Sequence, residues 1–300
     1  MNVAPAKDSA AIPFERMTII GLGLMGGSMA LALRGKVPHM TAVDVDPVTL
    51  GAATELIGMD AATPDLAEGV AGADVVVLAT PVRVILEMLE KIGPHLKPGA
   101  TVIDLGSTKS AICAAMGDLP EAVGAMGGHP MCGRARGGLL AAARLLYNGA
   151  PFVLCETART TPEAFERARW LVDAVGARPV PIAPDRHDRA VAAISHLPYL
   201  VSAALVGAAD AEGKRDDLLW ELAASGFRDT SRLAGSEIPM ILDILITNRP
   251  NVIDMIRTFR GQLAALEEIL AAGDEATLRK ALIEIQSARR AWERDHYRGG

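Results

Sequence analysis

Three glycines and one aspartate carry the first recognisable chemistry in this chain. The run Gly21-x-Gly23-x-x-Gly26 follows a short β-rich stretch from Met17 and leads into the helix-forming Met29-Ala-Leu-Ala-Leu33. In a strand–turn–helix unit the first glycine permits the tight turn and the second lets backbone approach a pyrophosphate. The third lets helix and strand pack closely, and the helix N-terminus faces the phosphates. Leu24 and Met25 lie inside this turn and border the same site. Asp44 ends a second apolar run. At that spacing a carboxylate accepts hydrogen bonds from both ribose hydroxyls of NAD and repels the 2′-phosphate of NADP. The pattern predicts an NAD site.

Hydride transfer also needs a base for the proton lost from the substrate, and groups that grip it. Three segments offer them. In Asp104-Leu-Gly-Ser107-Thr-Lys109 a serine hydroxyl stands at a strand end, where it can touch substrate and nicotinamide together or cap the next helix. In Gly127-Gly-His129-Pro-Met-Cys-Gly133 a histidine sits in what reads as a loop. An imidazole with a pKa near ~6.5 is mostly neutral at pH 7 and can accept a proton, although a lone loop histidine is often incidental. In His187-Asp-Arg-Ala-x-x-x-Ile-Ser195-His196-Leu-Pro198 the proline removes a donor to Ile194 and should kink the helix beside His196. His196 then either faces a cleft or is a core or interface histidine. His187 reads as part of a charged helix start, exposed or structural.

The elements that must position these groups change character along the chain. Met17–Gly21, Met40–Val45, Asp74–Ala79, Thr101–Leu105 and Phe152–Cys155 read as strands, with helical stretches such as Pro47–Ile57 and Val82–Ile92 between them. Alternation of this kind means a doubly wound parallel sheet, whose ligands sit beyond the carboxyl ends of the strands. That places Thr80 and Pro81 near the cofactor, with Gly106-Ser107 and Gly128-His129. After Pro162 comes a helix with Phe165, Ala168, Leu171 and Val172 on one face, then the run Ala177–Ile182. Beyond Pro184 the apolar residues recur at helical spacing, and Gly273-Asp274 reads as a helix stop and a new N-cap. The expected organisation is a disordered tail over 1–16, a Rossmann-like NAD domain over 17–183, and an all-α domain over 184–300. Helical domains with more apolar surface than they can bury alone often dimerise, so a homodimer through this domain is expected.

Composition narrows the partners to a small molecule. The 300 residues are 50% hydrophobic with a formal net charge of -6, which argues against nucleic acid. No apolar run reads as a membrane helix of ~20 residues, and the N-terminal stretch lacks the apolar segment of a signal peptide. Cys113, Cys132 and Cys155 show no metal-ligand spacing. A cytoplasmic enzyme with reduced thiols is the expectation, with no metal.

Taken in order, Gly-Leu-Gly-Leu-Met-Gly-Gly-Ser28, Asp104-x-Gly-Ser-x-Lys109, Gly-His129-Pro-Met, His187-Asp-Arg, Ser-His196-Leu-Pro and Gly226-Phe-Arg-Asp229-Thr-Ser-Arg232-Leu-Ala resemble the prephenate and arogenate dehydrogenase family of tyrosine biosynthesis. The likeness spans about residues 17–293. It implies NAD-dependent oxidative decarboxylation of a cyclohexadiene: prephenate to 4-hydroxyphenylpyruvate, arogenate to tyrosine, or both. By the same resemblance His129 accepts the hydrogen bond from the ring hydroxyl and Ser107 holds that hydroxyl near the nicotinamide. His196 and Arg232 line the substrate pocket. Arg232 is the expected carboxylate partner, since a guanidinium gives two parallel charge-assisted bonds, and Asp229 is placed to orient it. Arg228 competes for the anion.

Two departures touch the substrate side. Where the family runs Ala-Gly, then Ser or Thr, then Glu, this chain has Cys132-Gly133-Arg134-Ala135. An acid is lost and Arg134 is gained. A tryptophan common in the family is replaced by Ile241. Two other readings compete. A β-hydroxyacid dehydrogenase relies on a lysine in a helix of the second domain, but Lys214 lies in a turn-like stretch and Lys280 on a polar helix face. A non-enzymatic NAD-sensing dimer gives no reason for His129, His196 and Arg232 to occur together.

Overall fold

The computed structural model describes residues 12–134 and 136–296. The strands are β1 (Arg16–Ile20), β2 (His39–Val43), β3 (Ala61–Thr63), β4 (Val75–Leu78), β5 (Thr101–Asp104), β6 (Gly124–Pro130), β7 (Pro151–Glu156) and β8 (Arg178–Pro181). They form one sheet in the order β3-β2-β1-β4-β5-β6-β7-β8, parallel except where β7 runs antiparallel to β6. The order reverses between β1 and β4, which pair with Met17 opposite Val75. A ligand crevice opens at such a reversal.

Helices α1 (Leu24–Leu33), α2 (Pro47–Ala52), α3 (Leu66–Val70), α4 (Val82–Ile92), α5 (Ser110–Met116) and α6 (Pro162–Ala174) connect the strands. Because successive strand residues point to opposite faces, β1 feeds two cores. Met17 and Ile19 pack with Met29 and Leu33 of α1, while Ile20 packs with Val76, Leu78 and Ile85 on the other face. Both faces are covered, so these strands are apolar throughout.

Beyond β8 the chain is helical: α7 (Pro184–Val191), α8 (Leu197–Gly213), α9 (Leu218–Leu222), α10 (Ser225–Ser231), α11 (Ile238–Thr247), α12 (Arg249–Ala271) and α13 (Glu275–His296). Between α7 and α8, residues Ala192–His196 form a π-helical turn in which the Leu197 amide donates to the Ala192 carbonyl. The expected disturbance before Pro198 thus takes the form of one wide turn. Gly273 is left-handed, with φ +68°, and Asp274 caps α13 by accepting from the Thr277 amide at 3.0 Å.

Two expectations need correction, on the N-terminal tail and on membrane-helix length, and the compact units divide elsewhere than the expected domains. The tail reading of 1–16 fails from Phe14 on: Phe14 is buried edge-to-face against Trp170, and the Asp74 carboxylate accepts the Glu15 and Arg16 amides. Residues 1–11 lie outside the described residues. The expected boundary at 183/184 marks where strands give way to helices, yet the compact units divide at Arg249/Pro250. Residues 184–249 stay with the sheet because Asp188 caps α5 and Asp243 of α11 accepts from the amide and side chain of Arg83. Finally, the continuous helical stretch 184–213 contains an 18-residue window of mean hydropathy 1.6, long and apolar enough to cross a membrane by length and composition. Its polar residues Asp188 and His196 are buried in hydrogen bonds with α5 and Asn248.

Candidate functional site

The turn after β1 gives each glycine its own reason. Gly21 has φ +89°, and a Cβ there would lie 2.7 Å from Thr80 Cγ2. A Cβ on Gly26 would lie 2.0 Å from the Gly21 carbonyl oxygen, so α1 can approach β1 only without it. A Cβ on Gly23 would meet nothing within 4 Å. Gly23 is also the N-cap of α1 and supplies no side-chain cap, which leaves the Leu24 and Met25 end of the helix open to an anion. The Met25 carbonyl accepts the Tyr147 hydroxyl at 2.7 Å, anchoring residues 139–150 to α1.

Asp44 is half-buried one residue past β2. Its Oδ2 accepts the Leu22 amide at 2.8 Å and its Oδ1 the Asp46 amide at 3.0 Å, so the carboxylate is fixed beside the glycine turn. Thr80 and Pro81 follow β4, on the other side of the crevice. Pro81 is exposed and starts α4, whereas the Thr80 hydroxyl is buried with no hydrogen-bond partner among the described residues. An orphaned buried hydroxyl on the residue that packs its methyl against the Gly21 turn, an open cradle above Gly23 and a fixed carboxylate together fit a dinucleotide.

A second carboxylate organises the reacting end. Asp104, fully buried, accepts the Gly106 amide at 2.7 Å and the Gly128 amide at 3.0 Å, and it pairs with the equally buried Lys109 ammonium. One group therefore holds the residue before Ser107 and the residue before His129. Ser107 is half-buried and is not a helix cap. The amides at the start of α5, Lys109 and Ser110, are capped instead by Asp188, 79 and 78 residues away, at 2.7 and 2.9 Å.

His129 lies on β6 and not in a loop. The Gly-Gly before it hid the strand, because glycine is a poor strand former. Its Nδ1 is 2.8 Å from His187 Nε2, and His187 Nδ1 is 2.8 Å from Asp188 Oδ1. His187 is only 2% exposed, so of its two readings, exposed or structural, the exposed one falls. Nε2 of His129 has no partner among the described residues, and the ring is half-buried. Burial first, then the neighbouring His187, Lys109 and His196, holds the His129 pKa well below 6.5. The residue is neutral at pH 7. Burial pushes the Asp188 carboxyl up, but hydrogen bonds from His187 and from the Lys109 and Ser110 amides outweigh it and keep the group ionised.

His196 is also buried, with Nδ1 3.2 Å from the Asn248 side-chain amide, whose nitrogen donates to the Asp188 carbonyl at 2.7 Å. Burial lowers its pKa to about 4. With Nδ1 accepting from Asn248, the ring proton sits on Nε2, so His196 is a neutral donor. Arg232, after α10, is exposed. Asp229 does not orient it: Asp229 pairs with the adjacent Arg228 at 2.9 Å, both exposed. Arg134 is exposed, with Nη1 3.4 Å from the Ala141 carbonyl, and Ala135 lies outside the described residues. The structure thus gathers His129, His187, Asp188, His196 and Asn248 with the segment that carries Ser107. Arg134, Asp229 and Arg232 stand on exposed segments. Sequence reasoning placed Thr80 at the cofactor side, undervalued His187 and Asp188 and missed Asn248.

Residues 29–180 match the family model of the prephenate dehydrogenase nucleotide-binding domain, and residues 183–284 match that of the prephenate dehydrogenase dimerization domain. The chain is 33% identical over 244 residues to the prephenate dehydrogenase of Bacillus subtilis, covering 80% of this chain and 66% of that one. It therefore spans just under two thirds of that relative's length. The crystal structure of Synechocystis arogenate dehydrogenase superposes with a TM-score of 0.82 at 34% identity, covering 92% of this chain and 99% of that one. Prephenate dehydrogenase from A. aeolicus, in complex with hydroxyphenyl propionate and NAD+, gives 0.86 at 29%, covering 92% and 98%. With its dinucleotide cradle, its histidine-centred site and both domain models matched in order, the chain belongs to the prephenate dehydrogenase family.

Proposed function

We propose that this protein oxidatively decarboxylates prephenate to 4-hydroxyphenylpyruvate, arogenate to tyrosine, or both, with NAD as the hydride acceptor. The observation that carries the proposal is His129: a neutral imidazole with Nδ1 engaged and Nε2 without a partner among the described residues, one residue from an amide held by Asp104. As hydride leaves the ring carbon for the nicotinamide, the hydroxyl proton passes to His129 Nε2. The bond from the ring to its carboxylate then breaks, its electron pair enters the ring, and carbon dioxide departs. The proton on His129 returns to the phenolate oxygen. Aromatisation drives the sequence, so orientation and proton handling are the protein's main tasks.

Ser107 steers the reacting hydroxyl from the turn that Asp104 holds. His196 offers its Nε2–H to a substrate oxygen, and Arg232, which lacks an acidic partner among the described residues, takes a substrate carboxylate. Arg134 adds positive charge next to Ala135, the position where the family has an acid, which disfavours the ammonium of arogenate. A homodimer in the cytoplasm completes the proposal. Ser202 is the only buried residue of α8 among those described, and Leu263, Leu270, Leu282 and Ile285 are exposed in the second unit, surface that a second copy would cover. The test is His129→Asn. Turnover should fall by ~10²–10⁴-fold with NAD affinity nearly unchanged; undiminished turnover rejects His129 as the base.

A further inference from the structure

We infer that His187 and Asp188 are positioning residues for His129, a two-member relay that fixes which of its ring nitrogens is open to a proton. The inference rests on His129 being the base. The chain of bonds runs from Asp188 Oδ1 to His187 Nδ1 at 2.8 Å, then from His187 Nε2 to His129 Nδ1 at 2.8 Å.

Proton placement follows from the far end. The Asp188 carboxylate already accepts the Lys109 and Ser110 amides, and an ionised carboxylate only accepts. The proton between Asp188 and His187 therefore belongs to His187 Nδ1. A neutral imidazole protonated there has its lone pair on Nε2, so the next shared proton belongs to His129 Nδ1. Nε2 of His129 is left as a lone pair, the form that can take a proton from a substrate hydroxyl. The opposite setting would put a hydrogen on Nε2 and close it. When His129 becomes imidazolium, the new charge faces a fixed negative charge through one intervening ring, so the same relay stabilises the proton-loaded state.

The relay is tied down from three neighbouring segments. His129 comes from β6, the two capped amides from α5, and the Asn248 side chain donates to the Asp188 carbonyl. His187 and Asp188 are 2% and 1% exposed. Burying both a charge and an imidazole without using their hydrogen bonds would be costly.

The test reads the tautomer directly by long-range 1H–15N correlation of 15N-histidine-labelled full-length protein at pH 7.5 without substrate. In the unmodified protein His129 should carry its proton on Nδ1. In Asp188→Asn one neutral oxygen replaces a carboxylate that accepts from His187, Lys109 and Ser110 together, so the His187 tautomer is no longer fixed and His129 should show Nε2–H in part. Its kcat should fall ~10²–10⁴-fold while KM for NAD stays within about 3-fold. His187→Phe should lose a similar factor. His187→Gln, whose carbonyl can accept from His129 and whose amide can donate to Asp188, should recover most of it. An Nε2–H tautomer in the unmodified protein overturns the inference. So does Asp188→Asn with tautomer and kcat unchanged, or His187→Gln no better than His187→Phe. Should Asp188→Asn fail to fold, the unmodified spectrum and the His187 pair still decide. Turnover retained in His129→Asn alongside the expected spectrum would instead defeat the base assignment alone.

Discussion

Gly23→Ala and Gly26→Ala make opposite demands on the same turn, and the difference can be worked from the structure. At Gly26 the added methyl would sit 2.0 Å from a backbone oxygen, where ordinary contact begins near 3.4 Å. Neither atom is the end of a flexible side chain, so α1 must move by more than 1 Å against the packed Met29 and Leu33. Overpacking of this kind costs ~1–3 kcal/mol or more, which for a chain of this size lowers Tm by ~2–4 °C per kcal/mol. At Gly23 the methyl meets nothing within 4 Å, and the backbone, at φ -73° and ψ -156°, suits alanine. Stability should then change by less than ~1 kcal/mol. The methyl would occupy the cradle through which a pyrophosphate passes, so the NAD Kd should rise at least ~10-fold, about 1.4 kcal/mol. Scanning calorimetry on the free protein and titration calorimetry with NAD separate the two effects. A Gly23→Ala protein with unchanged NAD affinity would refute the cradle, and a Gly26→Ala protein with unchanged Tm would refute the packing argument.

Asp44→Ser should raise the NADP-to-NAD ratio of kcat/KM at least ~10-fold, because it removes the charge that repels a 2′-phosphate; equal use of both cofactors by the unmodified protein would count against this role. Lys109→Met strands the fully buried Asp104 carboxylate and should cost ~3–5 kcal/mol in urea unfolding. The double variant Asp104→Asn/Lys109→Met should recover part of that loss, and a harmless single variant would mean the pair does not hold the site. Acid should also weaken the fold through His196. Its folded pKa is about 4, below the ~6.5 of the unfolded chain, so the unfolded state binds the proton first. This contribution is intact above pH 6.5 and is lost, on the order of 3 kcal/mol in full, as pH falls toward 4. Urea midpoints at pH 7.5 and 5 should differ less in His196→Gln; an identical difference would contradict the assignment.

Much of this was legible in the sequence where a single local rule decides the outcome. The glycine turn, Asp44, the apolar strands β1, β2, β4 and β5, and the Gly273-Asp274 break each depend on neighbours a few residues away. What stayed hidden depends on distance. β6 is written Gly-Ala-Met-Gly-Gly-His-Pro, without the β-branched residues that announce a strand, and only pairing on both edges makes it one. His187 read as a charged helix start, exposed or structural, because Asp185, Arg186 and Arg189 surround it; the helix turns His187 and Asp188 inward and leaves those three outward. The cap of α5 comes from 79 residues away, beyond any local capping signal. Asp229 illustrates the converse error, a helical spacing that invited a partnership with Arg232 which Arg228 took instead.

The most direct measurement is NADH formation by the purified protein with NAD, given prephenate and arogenate in separate assays. At least one should be turned over, with the rate reduced ~10²–10⁴-fold in His129→Asn, and the ratio of the two kcat/KM values reads what Arg134 and Ile241 do to substrate choice. Tight NAD binding with oxidation of neither compound would contradict the proposed function.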